Sequence, residues 1–445
     1  MTTLRSTRPA MAVLAALAVT IGALESIPFP ALPLLQRELG LDPAQAGLLS
    51  TTLIITSAIT MPIVAKIADD RGGRRILLVL TWCIVAGAVL SAFATSFPVI
   101  LLGQFLQGLG GGVLPVSFVL ARRLFPDSTP VAVGVLTGLF TVGSGLGVLA
   151  AGPLADAFSR QWMFLLPALV VAAVAIVAPV ALPGPGQVRR TRLDWPGGVL
   201  LALALATLML ALFLAPQGLA TAAVLLVLTA AFGAGWVAVE RRAEHPLVDL
   251  GVLRSVWRAS LTAGALGASY SATYFLVPQL LSGFGATASE ISLYLFPTVL
   301  VAVVVGPLSG LFARRAGTRT AMAAGLTLTA AGTLFVAGWH EVPWQIAAGM
   351  LVTLGLGVGT ASTATYTAAI SSVGEQDTGV AAATCGIARA IGAALGVQVA
   401  AALLTGGASF RLGFVLAAVV ALAPLVLLRG IRSPENRFGA ALTRG

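Results

Sequence analysis

Glu25 and Arg389 are the acidic and basic side chains that fall near the middle of long apolar runs, and both could do chemistry there. A carboxyl group on an apolar span is costly to keep, and it can take up and release a proton in place. It can equally cap a kink or bond a neighbouring helix. Arginine does not readily lose its charge, so Arg389 needs an anionic or carbonyl partner. Three partners fit: Glu25, an anionic group of a ligand, or backbone carbonyls at a broken helix. Tyr270 and Tyr274 stand four residues apart and share a helix face. An aromatic, weakly polar face of this kind suits bulky amphipathic ligands. Enzyme signatures such as HExxH, a Walker loop or GxSxG are missing, and His245 and His340 fall in loops. The chain is therefore expected not to be an enzyme and to need no metal or cofactor.

The densest charge lies in Ala65-Lys66-Ile67-Ala68-Asp69-Asp70-Arg71-Gly72-Gly73-Arg74-Arg75, within a chain that is only 9% charged. Two glycines permit a tight turn, and acids followed by arginines suit ion pairing across a helix junction. A weaker copy, Gly310-Leu311-Phe312-Ala313-Arg314-Arg315-Ala316-Gly317-Thr318-Arg319, matches Ala65 with Gly310, Gly72 with Gly317 and Arg74 with Arg319. A repeat this distant, each copy between apolar spans, suggests a duplicated membrane bundle.

The elements that must position these groups are membrane helices. Hydrophobic residues make up 58% of the 445, and mean hydropathy is +0.98. A spanning helix needs about 20 mostly apolar residues. Apolar runs fall near 10–35, 46–68, 76–95, 98–121, 131–157, 162–182, 196–215, 219–239, 259–282, 288–313, 320–338, 344–369, 379–405 and 409–428. This predicts an all-α integral membrane protein of about fourteen transmembrane helices. The expected division is a six-helix bundle over 1–183, a linker with two extra spans over 184–258, and a second six-helix bundle over 259–445. Arg5 and Arg8 precede the first run in the manner of a signal peptide, but the run continues past Glu25, so an uncleaved first helix is expected.

The net charge of +10 is spread between spans and gives no nucleic-acid patch. With the N-terminus inside, nearly all of the 26 Lys and Arg lie in inside segments. Arg37, Arg160 and Arg411 lie outside and Arg389 within a helix. That bias predicts a plasma (inner) membrane protein with both termini cytoplasmic. Trp162, Trp195, Trp257, Trp339 and Trp344 fall at span ends as an aromatic belt would. Cys83 and Cys385 read as small core residues.

These features resemble the major facilitator superfamily, specifically its 14-helix drug:proton antiporter branch. Ala65–Arg75 looks like the signature between spans two and three, with Asp69, Gly72 and Arg74 matching and Ala65 in place of the leading Gly. Asp194-Trp195-Pro196-Gly197 resembles the start of an extra helix pair, and Glu240-Arg241-Arg242 through Pro246-Leu247-Val248-Asp249 its end. Gly143, Gly147 and Gly152 match the antiporter motif of the fifth span, although Val148 and Ala151 replace a proline and a glycine. In the fourth span Gln107 and Gly108 match, but Gln104 stands where the family has an arginine. In the first span the family's acid would align with Leu24, one residue from Glu25, and Pro28, Pro30 and Pro33 could shift that register.

The resemblance implies two pseudo-symmetric six-helix bundles working by alternating access. It implies proton-coupled multidrug or natural-product efflux, with a small-molecule substrate, protons and the lipid bilayer as partners and a monomer as the acting species. Glu25 is then the proton-coupling candidate. Gln104, Gln107, Tyr270, Tyr274, Tyr294, Tyr366 and Arg389 are the substrate-cavity candidates. Asp69, Asp70, Gly72, Arg74 and Arg75 form the expected cytoplasmic gate, with the helix N-terminus near Asp377–Val380 as the partner of Asp69. Gln104 cannot titrate, which keeps an uncoupled facilitator or lipid flippase open as the alternative.

Overall fold

A computed structural model describes residues 3–71, 73–125, 128–182, 195–215, 217–243, 250–339, 341–374 and 377–430. Among them the structure is helical: α1 (Thr3–Ser26), α2 (Pro28–Leu39), α3 (Pro43–Arg71), α4 (Gly73–Ala92), α5 (Phe97–Gly108), α6 (Val113–Leu124), α7 (Thr129–Ala157), α8 (Arg160–Ala181), α9 (Trp195–Leu214), α10 (Leu219–Glu240), α11 (Leu250–Gly283), α12 (Ala288–Ala316), α13 (Thr318–Gly338), α14 (Pro343–Met350), α15 (Gly359–Ser371), α16 (Thr378–Thr405) and α17 (Phe410–Leu422). Thirteen helices among the described residues are long and apolar enough to cross a membrane. The expected span 259–282 lies within α11, which is long but carries Ser260, Thr262, Ser269, Ser271 and Thr273, all buried. Those hydroxyls lower its hydropathy, so α11 is not among the thirteen.

Three expected runs are each divided. Pro28 and Pro30 have no N–H to donate to the carbonyls of Leu24 and Ser26, so the first run breaks at Ile27 between α1 and α2. The fourth run narrows to a 3-10 turn, Leu109–Gly112, between α5 and α6. A Cβ on Gly111 would stand 2.5 Å from Ser57 Cβ, so α3 packs here against bare backbone. The run 344–369 contains a π-helical stretch, Leu351–Val358, between α14 and α15.

The chain divides into two compact units: Met1–Leu203 with Ala243–Leu247 and Gly285–Leu293, and Ala204–Arg242 with Val248–Phe284 and Tyr294–Gly445. In the first unit one apolar core gathers Leu14, Leu17, Leu77, Ile84, Leu120 and Leu136, and another gathers Ile27, Leu35, Ile100, Met163 and Phe164. In the second, Leu266, Met322 and Leu326 form one cluster, and Val256, Ala381 and Cys385 another. Each unit contains a helix pair packed through glycine. In the first, Cβ atoms on Gly143 and Gly147 of α7 would meet Val19 O at 1.9 Å and Ala23 O at 2.4 Å on α1. In the second, Cβ atoms on Gly392 and Gly396 of α16 would meet Gly264 O at 1.9 Å and Ala268 O at 2.0 Å on α11.

Outer faces are apolar, as lipid contact requires: Val180, Leu219 and Val426 are almost fully exposed. Along α10 only Ala222 and Glu240 are buried. Trp162, Trp339 and Trp344 are exposed at helix ends and Trp257 is exposed two turns into α11, while the side chain of Trp195 lies outside the described residues.

Candidate functional site

Glu25 is placed on the last turn of α1, immediately before the proline break, and is half-buried. It lines a small cavity of about 10 Å³ with Ile21, Leu24, Leu53, Ile84, Gln107 and Gly110. Apart from Glu25 and Gln107 the wall is apolar side chain and glycine. Ser26, the next residue, shares a short hydroxyl–hydroxyl hydrogen bond with Ser144 of α7, which pins the end of α1. The structure thus brings Glu25 and Gln107 to one cavity.

Gln104 and Gln107 are both buried on α5. Their Nε2 groups point at one hydroxyl, Ser91 Oγ on α4, at 3.4 Å from Gln104 and 2.9 Å from Gln107. A hydroxyl oxygen can accept twice, so Ser91 can serve both. Sequence reasoning missed Ser91, because a lone serine in an apolar run carries no spacing signal.

In the second unit, Arg389 of α16 donates through Nη1 to the Tyr270 hydroxyl of α11 at 2.9 Å. Both are half-buried, as are Tyr274, Tyr294 and Tyr366. Tyr366 packs against the cluster formed by Val252, Val256, Ala259, Ala369 and Cys385. Cys385 is buried beside Ser260 Oγ at 3.6 Å, and both cysteines are free thiols.

Of the expected gate residues, Gly72 and the side chains of Asp69 and Asp70 lie outside the described residues. Arg74 Nη1 donates to the carbonyls of Pro179 at 3.0 Å and Leu182 at 3.3 Å, closing the C-terminal end of α8. Arg75 is exposed. In the downstream copy Gly317, the counterpart of Gly72, turns the chain at φ 86°, a conformation that favours glycine.

The three glycines of α7 divide their work. Gly143 and Gly147 seat α7 on α1, whereas a Cβ on Gly152 would meet Ala288 O and Ser289 Cα at 2.3 Å. There the Gly152 N–H donates to Ser292 Oγ at 2.9 Å.

A family profile described as Major Facilitator Superfamily matches residues 14–235 and 259–444. The chain belongs to the Major Facilitator Superfamily and is a multi-pass membrane protein. It is 24% identical to Multidrug resistance protein 3 of Bacillus subtilis over 76% of this chain and 68% of that protein. It is 27% identical to Multidrug resistance protein Stp of Mycobacterium tuberculosis over 84% of this chain and 71% of that one. Among solved structures, the POT family transporter PepTSo has the same fold, with a TM-score of 0.70 and 18% identity over 95% of this chain and 97% of that chain.

Proposed function

We propose that this protein is a secondary active transporter, not an enzyme, that exports small amphipathic compounds in exchange for inward-moving protons. The observation that carries this reading is Glu25: a carboxyl group at the broken end of α1, in the wall of a cavity that is apolar apart from Gln107. Its apolar surroundings suit a group that binds and releases a proton as part of a cycle. The relatives named for multidrug resistance support an amphipathic cargo and the drug:proton antiporter branch. Tyr270, Tyr274, Tyr294, Tyr366, Gln104 and Arg389 are proposed to face that cargo, and Asp69, Asp70, Gly72, Arg74 and Arg75 to close the cytoplasmic side. The proposed frame is fourteen crossings arranged as bundles 1–183 and 259–445 around an extra pair in 184–258. The protein would act as a monomer in the plasma (inner) membrane, with both termini on the cytoplasmic side.

The second reading, an uncoupled facilitator or lipid flippase, is favoured by one feature. Gln104 cannot carry charge where the resemblance expects an arginine. Dye movement into proteoliposomes with and without an imposed pH gradient separates the two. Accumulation above equilibrium that requires the gradient supports the antiporter. Equilibration at the same rate in both cases supports the facilitator.

A further inference from the structure

Gln107 holds its amide in one orientation. Its Nε2 donates to Ser91 Oγ at 2.9 Å and points at the Gly103 carbonyl at 3.4 Å. A carbonyl can only accept, so the nitrogen belongs on that side and the oxygen on the other. Gln107 Oε1 is buried and has no hydrogen-bond partner, while the residue itself is 6% exposed. A buried acceptor left without a donor costs about 1–3 kcal/mol, so native structures rarely keep one. Gln107 also lines the cavity that Glu25 lines, and no other charged or titratable side chain lines it. The cavity has room for one water at most.

We infer that Gln107 is the positioning residue for the transported proton: its Oε1 accepts a hydrogen bond from the protonated carboxyl of Glu25, directly or through that one water. The match exists in one protonation state only. A neutral carboxyl offers an O–H that satisfies the orphan oxygen. An ionised carboxylate offers none and sets two acceptors against each other. The Gly103 carbonyl opposes the escape route, because turning the amide to donate instead would set Oε1 against that acceptor. This inference rests on the proton-carrier reading of Glu25 and assigns Gln107 to that same site, as a reader of its protonation state, in place of the cargo-facing role that the resemblance suggested.

The test reads protonation without requiring transport. Dicyclohexylcarbodiimide modifies protonated carboxyls in apolar surroundings, and its rate at Glu25 can be followed by peptide mass spectrometry on the full chain in detergent. At a fixed pH on the titrating limb, Gln107→Leu should slow labelling roughly three- to tenfold, the value of one lost hydrogen bond. Ser91→Ala should slow it in the same direction by removing the shorter of the two contacts that hold Nε2, and it serves where Gln107→Leu does not fold. Both effects should vanish at low pH, where Glu25 is protonated regardless; a merely structural change would persist there. Labelling that is unchanged in both variants, or absent from wild-type Glu25 at every pH, overturns the assignment. Failure of wild type to drive uptake with a pH gradient, with the labelling ratios as expected, overturns the antiporter reading and leaves the Gln107–Glu25 contact standing.

Discussion

Asp156, on the last turn of α7, accepts a hydrogen bond at 2.8 Å from the backbone N–H of Ser289 in the first turn of α12. That turn also carries a capping box. Thr287 N–H donates to Glu290 Oε2 at 2.8 Å, and Glu290 N–H donates to Thr287 Oγ1 at 3.3 Å. Together these satisfy the Ser289 and Glu290 amides in the first turn of α12, and the negative charge suits the positive end of the helix dipole. Asp156→Ala should lower unfolding stability by about 1 kcal/mol, as cap removal does elsewhere. Asp156→Asn, which keeps an oxygen acceptor, should recover most of it. Equal losses in both variants, measured by chemical unfolding in detergent, would show that the cap is not the source.

The glycines of α7 make a contrast on one helix. A Cβ at Gly143 would stand 1.9 Å from Val19 O, and that oxygen belongs to helix backbone that cannot swing aside. Gly138, five residues earlier and exposed, has nothing within 4 Å. Gly143→Ala should therefore force α1 and α7 apart and cost about 1–3 kcal/mol or more. Gly138→Ala should be neutral or gain up to about 1 kcal/mol from helix propensity. Thermal unfolding of the two variants side by side decides it, and similar behaviour would mean that α7 does not pack on α1 as described.

Arg389 and Tyr270 form a pair within the second unit. A double-mutant cycle with Arg389→Met and Tyr270→Phe should give a coupling of about 0.5–3 kcal/mol in unfolding stability. Additivity within about 0.5 kcal/mol would mean that the contact contributes nothing beyond proximity.

Where the apolar helices lie was legible in the sequence, because runs of apolar residues leave little choice once the backbone must satisfy its own hydrogen bonds in lipid. The orientation of the glutamines was not. It depends on Ser91 and, for Gln107, on the Gly103 carbonyl, and neither leaves a period in the sequence. Pro28 and Pro30 announced a break after Glu25, but not that the break would leave a separate helix, α2. The glycine pair of α16, Gly392 and Gly396, has the same four-residue spacing as Gly143 and Gly147 and was passed over, since in a chain with 50 glycines spacing alone selects poorly. The gate signature was readable as a motif. Only the structure assigns Arg74 to the end of α8, because a carbonyl partner leaves no mark in sequence.

The proposed antiport cycle depends on Glu25 as the carrier of the proton. The most direct measurement is accumulation of a fluorescent amphipathic dye in proteoliposomes under an imposed pH gradient, wild type against Glu25→Gln, with dye binding measured in parallel. Glutamine keeps the shape and hydrogen-bonding capacity of the carboxyl but cannot exchange a proton. The expected result is gradient-dependent accumulation by wild type, none by Glu25→Gln, and dye binding reduced far less than transport. Accumulation by Glu25→Gln against its gradient at wild-type rate would contradict the claim and place the proton on another residue.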